Sequence, residues 1–203
     1  FYLAQLQPYQ KRTLEILKLD HIKILDCNKY RHITGNQIFS VDHPWYLNGY
    51  ISEEAKNLSS WIIPWIKKKF LHHSKYFESN EKIFIDRSES PNNHCQIENN
   101  NEVIDFLSKK GFTSYKVGQL SFEQQIHLFK NAKVIVGAHG AAFANLAFCS
   151  PATQVIEIKP IDHPNYVIKT IGKINDLKVT IIETPKYENH NINLDINELN
   201  KNL

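Results

Sequence analysis

From Glu81 onward the sequence alternates short apolar runs with amphipathic stretches, and this alternation constrains the fold more than any other feature. Lys82–Asp86 (KIFID) is β-rich with little polar alternation, the pattern of a strand buried on both faces. Glu98–Lys110 reads as a helix with Val103, Phe106 and Leu107 on its inner side, and Gly111 fits its left-handed cap. Phe112–Val117 is a second strand. Ser121-Phe122-Glu123-Gln124 is a capping box, opening a helix whose Phe122, Ile126 and Phe129 share one face. Lys133–Gly137 is a third strand, followed by a small-residue turn and a short helix from about Ala141. Gln154–Lys159 and Lys178–Glu183 are further strands, separated by a helix through Tyr166–Ile174. The order β-α-β-α-β-α-β-α-β predicts an α/β fold with a parallel, doubly wound, Rossmann-like sheet and right-handed crossovers.

The flanks are less regular. Pro8–Leu17 is helix-like, and short apolar runs follow at Ile22–Leu25 and Gln37–Val41. Ser52-Glu53-Glu54 reads as a helix start, with Ala55, Leu58, Ile62 and Trp65 at helical spacing. Pro64 is expected to kink that helix, and Lys67-Lys68-Lys69 to form its solvated carboxyl end. His72-His73-Ser74 begins a linker, and the Asn-rich tail after Pro185 has one weak helical pattern, Leu194–Leu203. The expected division is a partial α/β lobe over 1–78, a complete lobe over 79–185 and a tail over 186–203. A chain that opens at Phe1 and contains no Met reads as a piece of a longer protein.

Composition removes several classes. At 203 residues and 42% hydrophobic content the chain can bury a sizeable core, which excludes disordered and fibrous proteins. No apolar run approaches the ~18 residues of a membrane span, so membrane association is expected only through parts outside this chain. A formal net charge of +3 argues against a dedicated nucleic-acid binder. Three Cys do not make a disulfide framework, and a reducing, cytoplasmic compartment is the simpler expectation. A luminal Golgi or ER enzyme trimmed of its anchor is the alternative.

Ligands of open α/β sheets bind outside the carboxyl ends of the strands. There the sequence places Val134-Ile135-Val136-Gly137-Ala138-His139-Gly140-Ala141-Ala142-Phe143-Ala144-Asn145. Gly137 and Gly140 let backbone approach a ligand, the amides after them favour an anion such as a diphosphate, and His139 can donate to a phosphate or sugar oxygen. A tight packing turn would use the same small residues. Arg87 follows the first strand and is suited to clamping phosphate oxygens, or to a surface ion pair. Glu157 is an acid in the apolar run Val155-Ile156-Glu157-Ile158, calling either for a ribose-type diol or for a neighbouring Lys or Arg. His72-His73, His94 and His163 lack metal-ligand spacing, so no zinc is expected. Cys149 reads as a small core residue. Asp42-His43 lies in a loop and could supply a general base. The sequence has no D-x-D metal site, no Walker loop and no dinucleotide-binding glycine triplet.

In combination these residues carry a resemblance. KIFIDR, QIENNNEVIDFLSKKGF and LSFEQQIHLFKNAKVIVGAHGAAFANLAFCSPATQVIEIKP resemble glycosyltransferase family 61, clearly over 82–160 and more vaguely over 8–70. The resemblance implies a GT-B-like enzyme of two Rossmann-like lobes, inverting, and independent of metal or other cofactors. Its donor is expected to be a nucleotide-sugar, most simply a UDP-sugar. The acceptor is expected to be a glycan or other hydroxyl, in polysaccharide, capsule or glycan biosynthesis. Carried over by position, Arg87 contacts the diphosphate, and Gly137, His139, Gly140 and Ala141 cradle it. Asn145 belongs to the matching turn, Glu157 holds the ribose, and the Tyr115–Gly118 backbone faces the base. His139 joins His43 or Asp42 as the catalytic candidates. The chain departs from the family where a second Arg is usual, near Cys95-Gln96, leaving Lys116 or His94 as substitutes. It also lacks the early Tyr/His/Trp segment of the amino-terminal lobe. A nucleotide-sugar-binding module without turnover is therefore the alternative.

Overall fold

The computed structural model describes residues 2–3, 6–39, 58–89, 94–163, 167–185 and 191–203. The chain groups into two compact units, Phe1–His43 and Pro44–Leu203. The first holds strands β1 (Tyr2–Leu3) and β2 (Leu25–Asp26), paired in parallel, and helix α1 (Pro8–Ile16). Pro8 sits at the start of α1, where its missing N–H costs no helical bond, and Gln10 Oε1 accepts from the Gln7 amide at 2.8 Å.

The second unit is α/β. Strands β3 (Lys82–Ile85), β4 (Thr113–Tyr115), β5 (Val134–Ala138), β6 (Gln154–Pro160) and β7 (Lys178–Thr184) form one wholly parallel sheet in the order β4-β3-β5-β6-β7. Helices α2 (Ile62–Phe70), α3 (Asn100–Lys109), α4 (Phe122–Asn131), α5 (Val167–Ile174) and α6 (Ile196–Asn202) surround it. The predicted strand–helix alternation is present, with boundaries shifted by one or two residues, inward at β3, α3 and β4 and one residue outward at the carboxyl ends of β5, β6 and β7. Gly111 takes φ +82 as the cap after α3, and the Ser121–Gln124 box opens α4 through two reciprocal bonds of 2.9 and 3.2 Å.

Period-two alternation sorts the strand residues between two layers. Phe84, Val136, Ile156, Ile158 and Ile182 face Val103 and Leu107 of α3, and Ile192, Leu194 and Leu199 of the carboxyl-terminal segment complete that core. On the other face α4, α5 and α2 all pack against the Ala141–Phe148 segment.

The short helix expected from about Ala141 is present as a 3-10 helix through Phe148. Two other expectations change. Helix α2 begins at Ile62, and Leu58 and Ser59 are not helical. Pro64 thus lies in the first helical turn, where a missing N–H is harmless, and produces no kink. The proposed Ser52 helix start lies outside the described residues. Lys67 is not solvated: its Nζ donates to the Cys149 carbonyl at 2.8 Å and to Asn175 Oδ1, and burial lowers its pKa. Lys68 and Lys69 are exposed, as expected of a helix end. Among the described residues no helix is long and apolar enough to cross a membrane.

Candidate active site at the switch of the sheet

Chain order along the sheet reverses between β3 and β5, because β3 is followed by β4 on one side and β5 lies on the other. Crossovers leaving in opposite directions open a crevice at the carboxyl ends of those two strands. Arg87 follows β3 and His139-Gly140 follows β5, so this crevice holds two of the residues singled out from sequence.

Arg87 lies across Gly140. A Cβ built on Gly140 would overlap the Arg87 guanidinium, so only glycine permits the approach. Nη2 donates to the His94 carbonyl at 3.0 Å, and Gln96 Nε2 donates to the Arg87 carbonyl at 3.3 Å. Nε is buried without a hydrogen-bond partner. Among the described residues no acid pairs with Arg87. Its neighbour Asp86 is instead occupied by the Ser88 amide and hydroxyl and by Asn100 Nδ2, at 2.9–3.1 Å. Burial lowers the guanidinium pKa, opposed by nearby Cys95. A half-buried cation bonded to a single carbonyl and paired with no acid among the described residues is suited to an anion.

Glu157 and His139 form a pair fixed by strand register. Gly137 lies opposite Glu157 across β5 and β6, so His139, two residues further, projects on the same face. His139 Nδ1 stands 2.5 Å from Glu157 Oε1, and the carboxylate is fully buried with Oε2 unpartnered. Within the protein the acid is thus met by an imidazole, and no Lys or Arg among the described residues pairs with it. Fixing Nδ1 on the carboxylate leaves Nε2 as the working nitrogen of His139.

The remaining candidates separate by role. Gly137 is buried, and a Cβ there would come within 2.9 Å of Ile85 Cβ and 3.4 Å of Phe143, so its smallness serves strand packing. Ala141 is exposed at the start of the 3-10 helix, whose first amides have no helical partners. Asn145 Nδ2 donates to Gln125 Oε1 and the Ala142 carbonyl, each at 3.1 Å, which ties that helix to α4. Lys116 reaches the crevice but is paired with Glu89 at 2.7 Å, a bond that raises its pKa. Asn99 pins the carboxyl-terminal segment through Leu194, donating to its carbonyl at 2.9 Å and accepting from its amide at 3.0 Å. Asp42 and His43 lie outside the described residues.

Arg87 divides two cavities. One, of about 300 Å³, is lined by Ser88, Gln96, Asn99 and Asn100. The other, of about 380 Å³, is lined by Asp86, Lys116, Gly118 and Ala142. Sizes of this order suit parts of a small-molecule ligand.

Sequence reasoning missed two groups. Lys159 is a fully buried lysine at the end of β6, and its Nζ donates to the His163 carbonyl at 3.0 Å. His94 and His163, set aside on chain spacing, come together in space with Cys95. A Lys in an apolar strand was a readable signal; the His–Cys meeting was not, because it depends on two loops converging. His72 and His73 instead stack on each other after α2, with ring centroids 4.1 Å apart. Cys149 is a buried core residue, its thiol pushed up to about 12 by burial.

No curated protein matches the chain significantly. The model of the family Glycosyltransferase 61, however, matches residues 4–156, a span that includes both strands of the crevice, Arg87 and the His139–Gly140 turn, and the chain therefore belongs to glycosyltransferase family 61.

Proposed function

We propose that this glycosyltransferase-family chain takes a nucleotide-diphosphate sugar, most simply a UDP-sugar, as donor, with the diphosphate at Arg87 and the Gly140–Ala142 amides. The single observation that carries the reading is the Arg87 guanidinium lying over Gly140 at the switch of the sheet, with no counter-ion among the described residues. In this reading transfer is inverting and the donor needs no divalent ion. An acceptor hydroxyl attacks the anomeric carbon, the bond to the phosphate oxygen breaks, and UDP leaves with the bonding pair. Arg87, the turn amides and His139 Nε2 stabilise the charge that develops on that oxygen. Glu157 supports the reading as the group that orients His139. The acceptor proton goes to a base of the amino-terminal side of a GT-B-like pair of lobes, with His43 or Asp42 as candidates. The acceptor class is a glycan or other hydroxyl compound.

Lys116 is committed to Glu89, and no second Arg stands near Cys95-Gln96, which favours as second reading a donor-binding module without turnover. Calorimetric titration of UDP into the wild type, Arg87→Ala and His139→Ala tests the first claim. Binding that both substitutions weaken is expected, and absence of UDP binding by the wild type refutes it. Donor hydrolysis or sugar transfer measured on the same protein excludes the second reading.

A further inference from the structure

One cluster of reactive side chains beside the crevice is not used by the transfer reading. His94, Cys95 and His163 each present one ligand atom, and these atoms lie within 4.8 Å of one another. A tetrahedral zinc ion with bonds of roughly 2.0–2.3 Å needs its ligands about 3.5 Å apart, a contraction that small side-chain rotations supply.

The backbone around the three residues is already fixed. The His94 carbonyl accepts from Arg87 Nη2 at 3.0 Å, and the Gln96 carbonyl accepts from the Ile192 amide at 2.8 Å, so Cys95 is held on both sides. His163 is anchored by the bond from buried Lys159 to its carbonyl and by its own amide donating to Pro160 at 3.0 Å. Cys95 is fully buried and adopts φ +53, a left-handed conformation that costs a non-glycine residue about 1 kcal/mol. Strain at a buried thiol between two pinned neighbours is the kind of feature a ligand site retains. One thiolate with two imidazoles is a borderline-soft donor set that selects zinc-class ions over magnesium or calcium.

We propose that His94, Cys95 and His163 bind one zinc-class divalent ion, with the fourth position taken by water or by an oxygen of a bound ligand. Binding replaces the Cys95 S–H bond with an S–metal bond and releases that proton to solvent, with no change of oxidation state. The ion ties the 94–95 segment to the 163 loop, and the proposal stands whether or not the donor is a UDP-sugar.

The test is titration of Co²⁺ into the full chain under reducing conditions, followed by absorbance. The expected result is one equivalent bound, with tetrahedral visible bands and a sulfur-to-cobalt charge-transfer band in the near ultraviolet. Cys95→Ala should lose the charge-transfer band, and His163→Gln should weaken binding by at least about tenfold. Because Cys95 is buried and its replacement could unfold the chain, His163→Gln, on a loop, serves as the independent variant, with circular dichroism confirming the fold of both. Cys27→Ser should leave the band intact. Stoichiometric Zn²⁺ should displace the cobalt, and a large excess of Mg²⁺ should not. No binding, binding without the sulfur band, a band that survives in folded Cys95→Ala, unchanged affinity in His163→Gln, or displacement by Mg²⁺ each overturns the proposal.

Discussion

The two ends of the parallel sheet differ in whether their buried polar groups are all satisfied. At the amino-terminal ends of β6 and β7, Asn175 Nδ2 donates to the Leu146 and Cys149 carbonyls at 2.8 and 3.1 Å, and Lys67 closes the network on Cys149 and Asn175. Thr153 Oγ1 likewise reaches the Ala132 and Ser150 carbonyls at 3.2 and 2.8 Å. At the carboxyl-terminal end Asp86 and Lys159 are also bonded, but Arg87 Nε and Glu157 Oε2 are buried with no hydrogen-bond partner among the described residues. A satisfied network stabilises the fold, whereas an unsatisfied one costs stability unless something else engages it. The difference fits the proposal that one end holds the chain together and the other takes a ligand.

Substitutions can break this contrast, and they rank by size. Arg87→Ala should weaken UDP binding by about 100-fold, or about 3 kcal/mol, in calorimetry, while leaving the urea midpoint nearly unchanged, because the half-buried cation it removes makes one carbonyl bond and no ion pair among the described residues. Asn175→Ala should do the reverse. It strands two carbonyls and lowers unfolding free energy by about 2 kcal/mol in urea titration, with UDP affinity of the folded protein unchanged.

The amino-terminal end also carries a pH signature. Cys149 has its pKa raised in the folded state from 9.0 to about 12, so the folded chain retains a proton that the unfolded chain releases. Stability should therefore fall as pH rises from about 9 toward 12, by up to about 1.4 kcal/mol per pH unit, and Cys149→Ala should flatten urea midpoints measured at pH 8 and pH 10. The smallest effect is expected at the rim of the crevice. Lys116→Ala breaks an exposed pair with Glu89 and should change UDP affinity by less than about threefold in the same calorimetric assay.

Much of this contrast was legible in the sequence, for reasons that differ by residue. KIFID and VIVGA announce buried parallel strands because both faces must be apolar, and Gly111 and Ser121 announce helix ends because their chemistry is local. Arg87 and His139 could be placed at one sheet edge because each follows a strand directly. Their partners could not be read. The Glu157–His139 pair depends on strand register, the role of Gly140 depends on where a guanidinium crosses it, and Lys67 depends on a helix docking near residues 149 and 175. Pro64 misled because a proline is disruptive or harmless according to the turn it occupies, and sequence did not locate the start of α2.

The carboxyl-terminal residues have a consequence for how the molecule can be shortened. Ile97 bridges Ile192, Gln96 and Asn99 bond to residues 191 and 194, and Ile192, Leu194 and Leu199 fill the core beneath β3, β5 and β6. Residues 191–199 thus behave as a clasp on the Gln96–Asn99 wall of the crevice. A version ending at Thr184 would release residues 96–99 and uncover an apolar stripe, losing solubility and ligand affinity together.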